Sequence, residues 1–91
     1  MNLIEKEALL ENMVSNLPLL RKALGLSQTG LAELVGLDRS SIAAIENRKR
    51  KLPWDTFLAL VLIFSKNAAT DNLLPTLEVY TDGLEAFIKL K

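Results

Sequence analysis

Everything between Ser27 and Asn47 turns on Gly36. On its N-terminal side, Ser27 opens a short helix as N-cap, and Leu31, Ala32, Leu34 and Val35 give that helix an apolar stripe before Gly36 ends it. On its C-terminal side, Asp38 caps a second helix over Arg39 to about Asn47. Ile42 and Ile45 face inward there, which leaves Arg39, Ser40, Ala43, Ala44 and Asn47 on the outer side. Two helices joined so tightly form an αα-corner whose second member projects one polar face. Its demands are specific. Ala32 must be small where the helices cross, Gly36 must take positive φ, and Leu31, Val35, Leu37, Ile42 and Ile45 must fill the angle. A bland bundle meets one of these conditions readily and all of them rarely. Gly30, inside the first helix, costs up to about 1 kcal/mol relative to alanine, so packing must hold that segment.

The flanking sequence extends the helical pattern. Leu3, Ile4, Leu9, Leu10, Met13, Val14 and Leu17 recur at helical spacing and predict an N-terminal helix. Pro18 lacks an amide donor and sits best in a first turn, so Ser15 or Asn16 is expected to cap a new or kinked helix running to Leu24, which Gly25 then stops in a left-handed conformation. Pro53 marks a break, and Asp55 lies in the first turn of a further helix whose Phe57–Phe64 stretch is apolar on every face. Such a helix is central or shared with a partner. In the tail, Thr70-Asp71-Asn72 reads as an N-cap ahead of Leu73 and Leu74, with Pro75 interrupting. Val79-Tyr80-Thr81 has strand propensity before an Asp82-Gly83 turn, and Leu84, Phe87, Ile88 and Leu90 suggest a last short helix. The expected architecture is all-α: a compact bundle of four to six short helices in a single domain over 1–91. Within it, 1–15 is an N-terminal helix, 16–66 the core and 67–91 a C-terminal extension able to serve dimerisation.

The 91 residues contain no cysteine and no histidine, which removes disulfides, thiolate nucleophiles, His-based triads and almost every zinc site. Glu5, Glu7 and Glu11 could share a helix face, but no other metal ligand clusters with them, so a solvated face explains them. No enzyme activity, metal or cofactor is expected. The longest apolar run, the eight residues Phe57–Phe64, falls far short of the roughly 20 that span a bilayer, and the N-terminus lacks the basic start of a signal peptide. A cytoplasmic chain is the expectation. Its net charge of zero conceals a polarity. From Arg21 to Lys51, seven basic residues stand against Glu33, Asp38 and Glu46, a net +4 that leaves −4 for the remainder. Arg48-Lys49-Arg50-Lys51 is the densest run, and alone it would pass for an ordinary solvated loop.

The stretch LRKALGLSQTGLAELVGLDRSSIAAIENRKRKLP resembles the Cro/CI (XRE-type) helix-turn-helix domain of bacterial and phage repressors. With the following helix the resemblance covers about Pro18 to Ser65, and its most specific parts are Gly25-Leu26-Ser27-Gln28, Leu31-Ala32 with Gly36, and Ile42 with Ile45-Glu46-Asn47. It implies a lambda-repressor-like fold and a role for each matching position. Arg39, Ser40 and Ala44 would meet base edges. Gln28, Ser41, Asn47, Lys49, Arg50 and Lys51 would contact phosphates, and Arg21 with Glu46 would form a buried structural ion pair. The departure is Arg48, where the family usually has glycine. Chemistry supports the roles independently, since phosphates need donors and Arg39 is the only long side chain near the start of its helix able to favour guanine O6 and N7. Trp54 is expected to pack rather than to stack on the sugar-phosphate backbone.

The leading reading is a sequence-specific DNA-binding transcriptional regulator, a repressor, that inserts helix 39–47 into the major groove of double-stranded DNA as a homodimer. The apolar excess of Phe57–Phe64, Val79, Tyr80, Leu84, Phe87 and Ile88 is more than four short helices need to cover, so some of it is expected to meet a partner copy. Two alternatives keep the fold: an antitoxin or accessory regulator whose C-terminal segment holds a protein partner, and an interaction module that no longer binds DNA.

Overall fold

The computed structural model describes residues 1–90, and those residues form six helices: α1 (Leu3–Ala23), α2 (Gln28–Val35), α3 (Arg39–Glu46), α4 (Trp54–Ser65), α5 (Leu73–Thr76) and α6 (Asp82–Ile88). One buried cluster collects side chains from all six, from Leu9 on α1 to Leu84 on α6.

α1 departs from the sequence expectation. It opens at Asn2, whose side chain accepts a hydrogen bond from the Glu5 amide at 2.8 Å, and runs 21 residues without a break at Ser15 or Asn16. Pro18 lies inside it, so the boundary at 15/16 divides nothing in the backbone. An interior proline costs about 3 kcal/mol. Against that stands one continuous stripe, Leu9, Met13, Leu17 and Leu20, buried on both sides of Pro18. Burying each such side chain is worth roughly 1.5–3 kcal/mol, so a bend that pulled half the stripe from the core would lose more than the proline costs. Asn16 also turns its side-chain amide onto the Asn12 carbonyl at 2.8 Å instead of capping a new helix.

Three successive helix ends use one device. At the end of α1, Leu26 N–H reaches the Arg21 carbonyl at 3.1 Å and Gly25 N–H the Lys22 carbonyl at 2.9 Å, with Gly25 at φ 68°. α2 ends the same way through Gly36 at φ 73°, with Leu37 N–H on the Ala32 carbonyl at 2.9 Å. α3 repeats it at Arg48. Between the first two ends, Ser27 and Asp38 cap α2 and α3 by accepting from Gly30 N–H and Ser41 N–H. Leu31, Ala32, Ile42 and Ile45 fill the corner so formed.

α4 crosses the middle with Phe57, Leu60, Val61 and Phe64 buried, while Leu62 stays 59% exposed. The tail folds back on this core rather than standing away from it. Leu74, Val79 and Leu84 are all buried, so Val79 and Leu84 are not held in reserve for a partner. No strand forms at 79–81: Thr81 caps α6 by accepting from Leu84 N–H at 3.2 Å, and Asp82-Gly83 become the first helical residues instead of a turn. Propensity yields there because a lone three-residue strand has no neighbour to pair with. Gly83 faces α1, where a Cβ would fall 2.9 Å from a carboxylate oxygen of Glu5, the movable end of an exposed side chain. Asn12 ties the tail down further by donating to the Glu78 carbonyl at 3.1 Å.

Thr70 does not cap α5. Its buried hydroxyl points back to the Phe64 carbonyl at 2.6 Å and satisfies the open end of α4. Thr70→Val keeps the shape and strands that carbonyl, so it is expected to lower stability by about 1–3 kcal/mol. Thermal denaturation checks this, and an unchanged midpoint would show that the carbonyl has another partner.

Candidate nucleic-acid interface

The outward face of α3 begins at Asp38. Its Oδ1 accepts from Ser41 N–H at 2.8 Å and from the Ser40 hydroxyl at 2.9 Å. The Ser41 amide first, and then the two serine hydroxyls, hold this carboxyl below its ordinary value, so the cap is charged at neutral pH. Ser40 is therefore turned to the cap in this structure, with oxygen lone pairs left for a donor. Arg39 is exposed and makes no side-chain hydrogen bond or ion pair among the described residues. It is the long polar side chain at the exposed start of α3. Ala44 is half-buried more than a turn further along the same helix, and Asn47 is exposed at the C-cap.

Beneath this face, the Arg21 guanidinium meets Glu46 through two hydrogen bonds, Nε to Oε2 at 2.9 Å and Nη2 to Oε1 at 3.1 Å. Nη1 donates to the Leu26 carbonyl at 3.1 Å, which ties the end of α1 to the turn before α2. The two side chains are only 10% and 7% exposed. Burial pushes the Glu46 carboxyl up, but the hydrogen bonds from Arg21 and Gln28 outweigh it and leave the group below its ordinary value. Gln28 reaches Glu46 Oε1 through Nε2 at 3.1 Å. Its amide nitrogen is thus engaged internally, leaving the carboxamide oxygen and any remaining N–H for the solvent side.

The basic loop follows α3. Arg48 takes φ 62°, in the left-handed region where the family pattern has glycine, and its amide donates to the Ile45 carbonyl at 3.1 Å. Lys49 and Arg50 N–H both reach the Ala44 carbonyl, at 2.8 and 3.2 Å. The four cations then go separate ways. Arg48 turns to α1 and pairs with Glu11 and Ser15. Arg50 turns to α3 and donates to the Ser41 hydroxyl. Lys49 and Lys51 are exposed and form no side-chain hydrogen bond or ion pair among the described residues. Sequence reasoning missed this division, because Glu11 and Arg48 lie 37 residues apart and nothing local links them.

Relieving the left-handed strain should stabilise the fold. Arg48→Gly is expected to raise the thermal midpoint by about 2–4 °C, since Glu11 and Ser15 make only exposed contacts to the arginine and glycine adopts this φ without a Cβ clash. A lower midpoint would show that the side-chain contacts outweigh the backbone strain.

Trp54 lies elsewhere, stacked on Phe57 with ring centroids 4.9 Å apart and edge-on to Phe87 at 5.8 Å. The Lys6 ammonium sits 5.0 Å from the Trp54 ring and 5.2 Å from Phe87, so the tryptophan joins α1, α4 and α6. Among the described residues no group of carboxylates is placed to hold a metal, and no helix is long and apolar enough to cross a membrane.

A model of the helix-turn-helix family matches residues 19–65, from the last turns of α1 to the end of α4. No curated protein and no solved structure matches the chain.

Proposed function

The chain belongs to the Cro/CI-like, XRE-type family of helix-turn-helix DNA-binding domains, and from that premise we propose that it is a sequence-specific transcriptional regulator, a repressor, acting as a homodimer on paired half-sites. The observation that carries the reading is the exposed start of α3, where Arg39 is uncommitted beside the capped Asp38–Ser41 turn. Recognition helices of this kind contact base edges with their N-terminal residues. Arg39 then reads guanine bidentately, Ser40 accepts from or donates to a neighbouring base, and Ala44 touches a thymine methyl. Lys49 and Lys51 grip phosphates, with Gln28, Ser41, Asn47 and Arg50 as further donors to the backbone. The buried Arg21–Glu46 pair holds the corner that aims α3.

A dimer follows from need, because one helix reads only a few base pairs and half-sites lie about 34 Å apart. Of the large apolar residues of α4 and α6, Leu62, Phe87 and Ile88 stay exposed and are open to a second copy, as are Leu3, Ile4 and Leu19 on α1. Leu74, Val79 and Leu84 are already in the core, so a different protein partner would have to use the exposed remainder of the C-terminal segment, where Phe87 and Ile88 are the larger apolar side chains of α6.

Selection from a random duplex library tests the whole reading. The expected result is a two-fold symmetric consensus bound with steep salt dependence. A chain with no salt-dependent affinity for any duplex would instead be an interaction module of the same fold.

A further inference from the structure

We propose that Glu11 and Ser15 of α1 are positioning residues for DNA binding, holding the basic loop in its gripping shape so that an acidic side chain strengthens the hold on a polyanion. The inference rests on the DNA-binding reading above and deepens it.

The loop's shape depends on Arg48 staying at φ 62°, a conformation that a residue with a Cβ keeps only when its surroundings hold it there. Backbone bonds from Arg48, Lys49 and Arg50 to the last turn of α3 supply part of that hold. The rest comes from a closed triangle of side chains. Arg48 donates to Glu11 Oε1 and to Ser15 Oγ at 2.9 Å, and Ser15 Oγ donates to Glu11 Oε2 at 2.8 Å. Glu11 and Ser15 stand four apart on one helix face, so α1 presents the two acceptors side by side. Arg48 first, and then Ser15, keep the Glu11 carboxyl below its ordinary value, and the triangle is ionised at neutral pH.

Arg50 pins the far side of the loop to Ser41. Lys49 lies between these two anchors and Lys51 follows directly after the second, both with exposed side chains. A loop fixed in advance loses less conformational freedom when its lysines close on phosphates. Because Arg48 already neutralises Glu11 at hydrogen-bond distance, the pair presents little net charge to the duplex. Charge alone predicts the opposite sign: removing Glu11 would free Arg48 and tighten binding.

The test uses the full chain, a labelled random-sequence duplex titrated at several salt concentrations, and amide hydrogen exchange. Glu11→Ala is expected to weaken binding about threefold, the scale of an exposed ion pair, and to speed exchange at the Lys49 and Arg50 amides while the thermal midpoint stays within a few degrees. Ser15→Ala moves both readouts the same way by less. In an Arg48→Gly background, Glu11→Ala no longer weakens binding, because only the removed negative charge remains. Equal or tighter binding by Glu11→Ala in the parent chain overturns the proposal. A parent chain with no salt-dependent affinity sinks the DNA-binding reading instead, and exchange at Lys49 and Arg50 then decides the loop's case: unchanged rates show that Glu11 and Ser15 do not hold it.

Discussion

Replacing Glu46 by alanine is expected to lower the unfolding free energy by about 3–5 kcal/mol, because it strands a buried guanidinium. Arg21 would keep its bond to the Leu26 carbonyl and lose both hydrogen bonds to the carboxylate, while Gln28 would lose its acceptor. In a domain of this size each kcal/mol moves the thermal midpoint by about 4–8 °C, so a drop of at least about 12 °C is the expected reading. Glu46→Gln, which retains an oxygen for Arg21, should fall between that variant and the parent. The pair also fixes a pH window. The folded Glu46 carboxyl lies below its ordinary value, so its contribution is complete above the unfolded carboxylate's range and is lost as pH falls through the folded value. Denaturation midpoints should therefore decline more steeply in acid for the parent than for Glu46→Gln. Parallel acid limbs, or an unchanged midpoint for the alanine variant, would show that the pair carries little of the stability.

What the sequence disclosed about the fold was whatever is decided locally. Ser27, Asp38, Gly25 and Gly36 mark helix ends through their own backbone chemistry, and α2 and α3 stand where those signals place them. Pro18 was misleading because its local preference competes with a stripe whose value appears only when Leu9 and Leu20 meet the same core. The tail misled for a related reason. Val79 has strand propensity, but its burial among helices and the Thr81 cap decide the outcome, and neither is visible from three residues. At the candidate interface, residue types were legible and commitments were not. Arg48 and Lys49 look alike in a basic run, yet one is paired with α1 and the other is open. That difference arises from the left-handed turn at Arg48, which points neighbouring side chains in different directions.

The same division shapes the second large effect. Reversing Lys49 and Lys51 to glutamate should weaken DNA binding on the order of 10³-fold near 0.1 M salt, for operator and random sequence alike. The magnitude comes from counterion release at about 0.9 per neutralised phosphate, with each protomer releasing its hold on two phosphates and the dimer on four. The slope of log affinity against log salt should correspondingly become shallower by about 3 to 4. Arg39→Ala should behave differently, because a residue reading a base edge adds discrimination rather than a uniform grip. Its expected signature is a loss of about 1–3 kcal/mol at one base pair of each half-site, with random-sequence affinity nearly unchanged. Stability should hold in both variants, since all three side chains are exposed and make no side-chain hydrogen bond or ion pair among the described residues. If Arg39→Ala lost affinity equally on operator and random duplexes, Arg39 would be another phosphate contact, and base reading would have to come from elsewhere on α3. If the lysine reversals left the salt slope unchanged, the loop would not face the duplex at all.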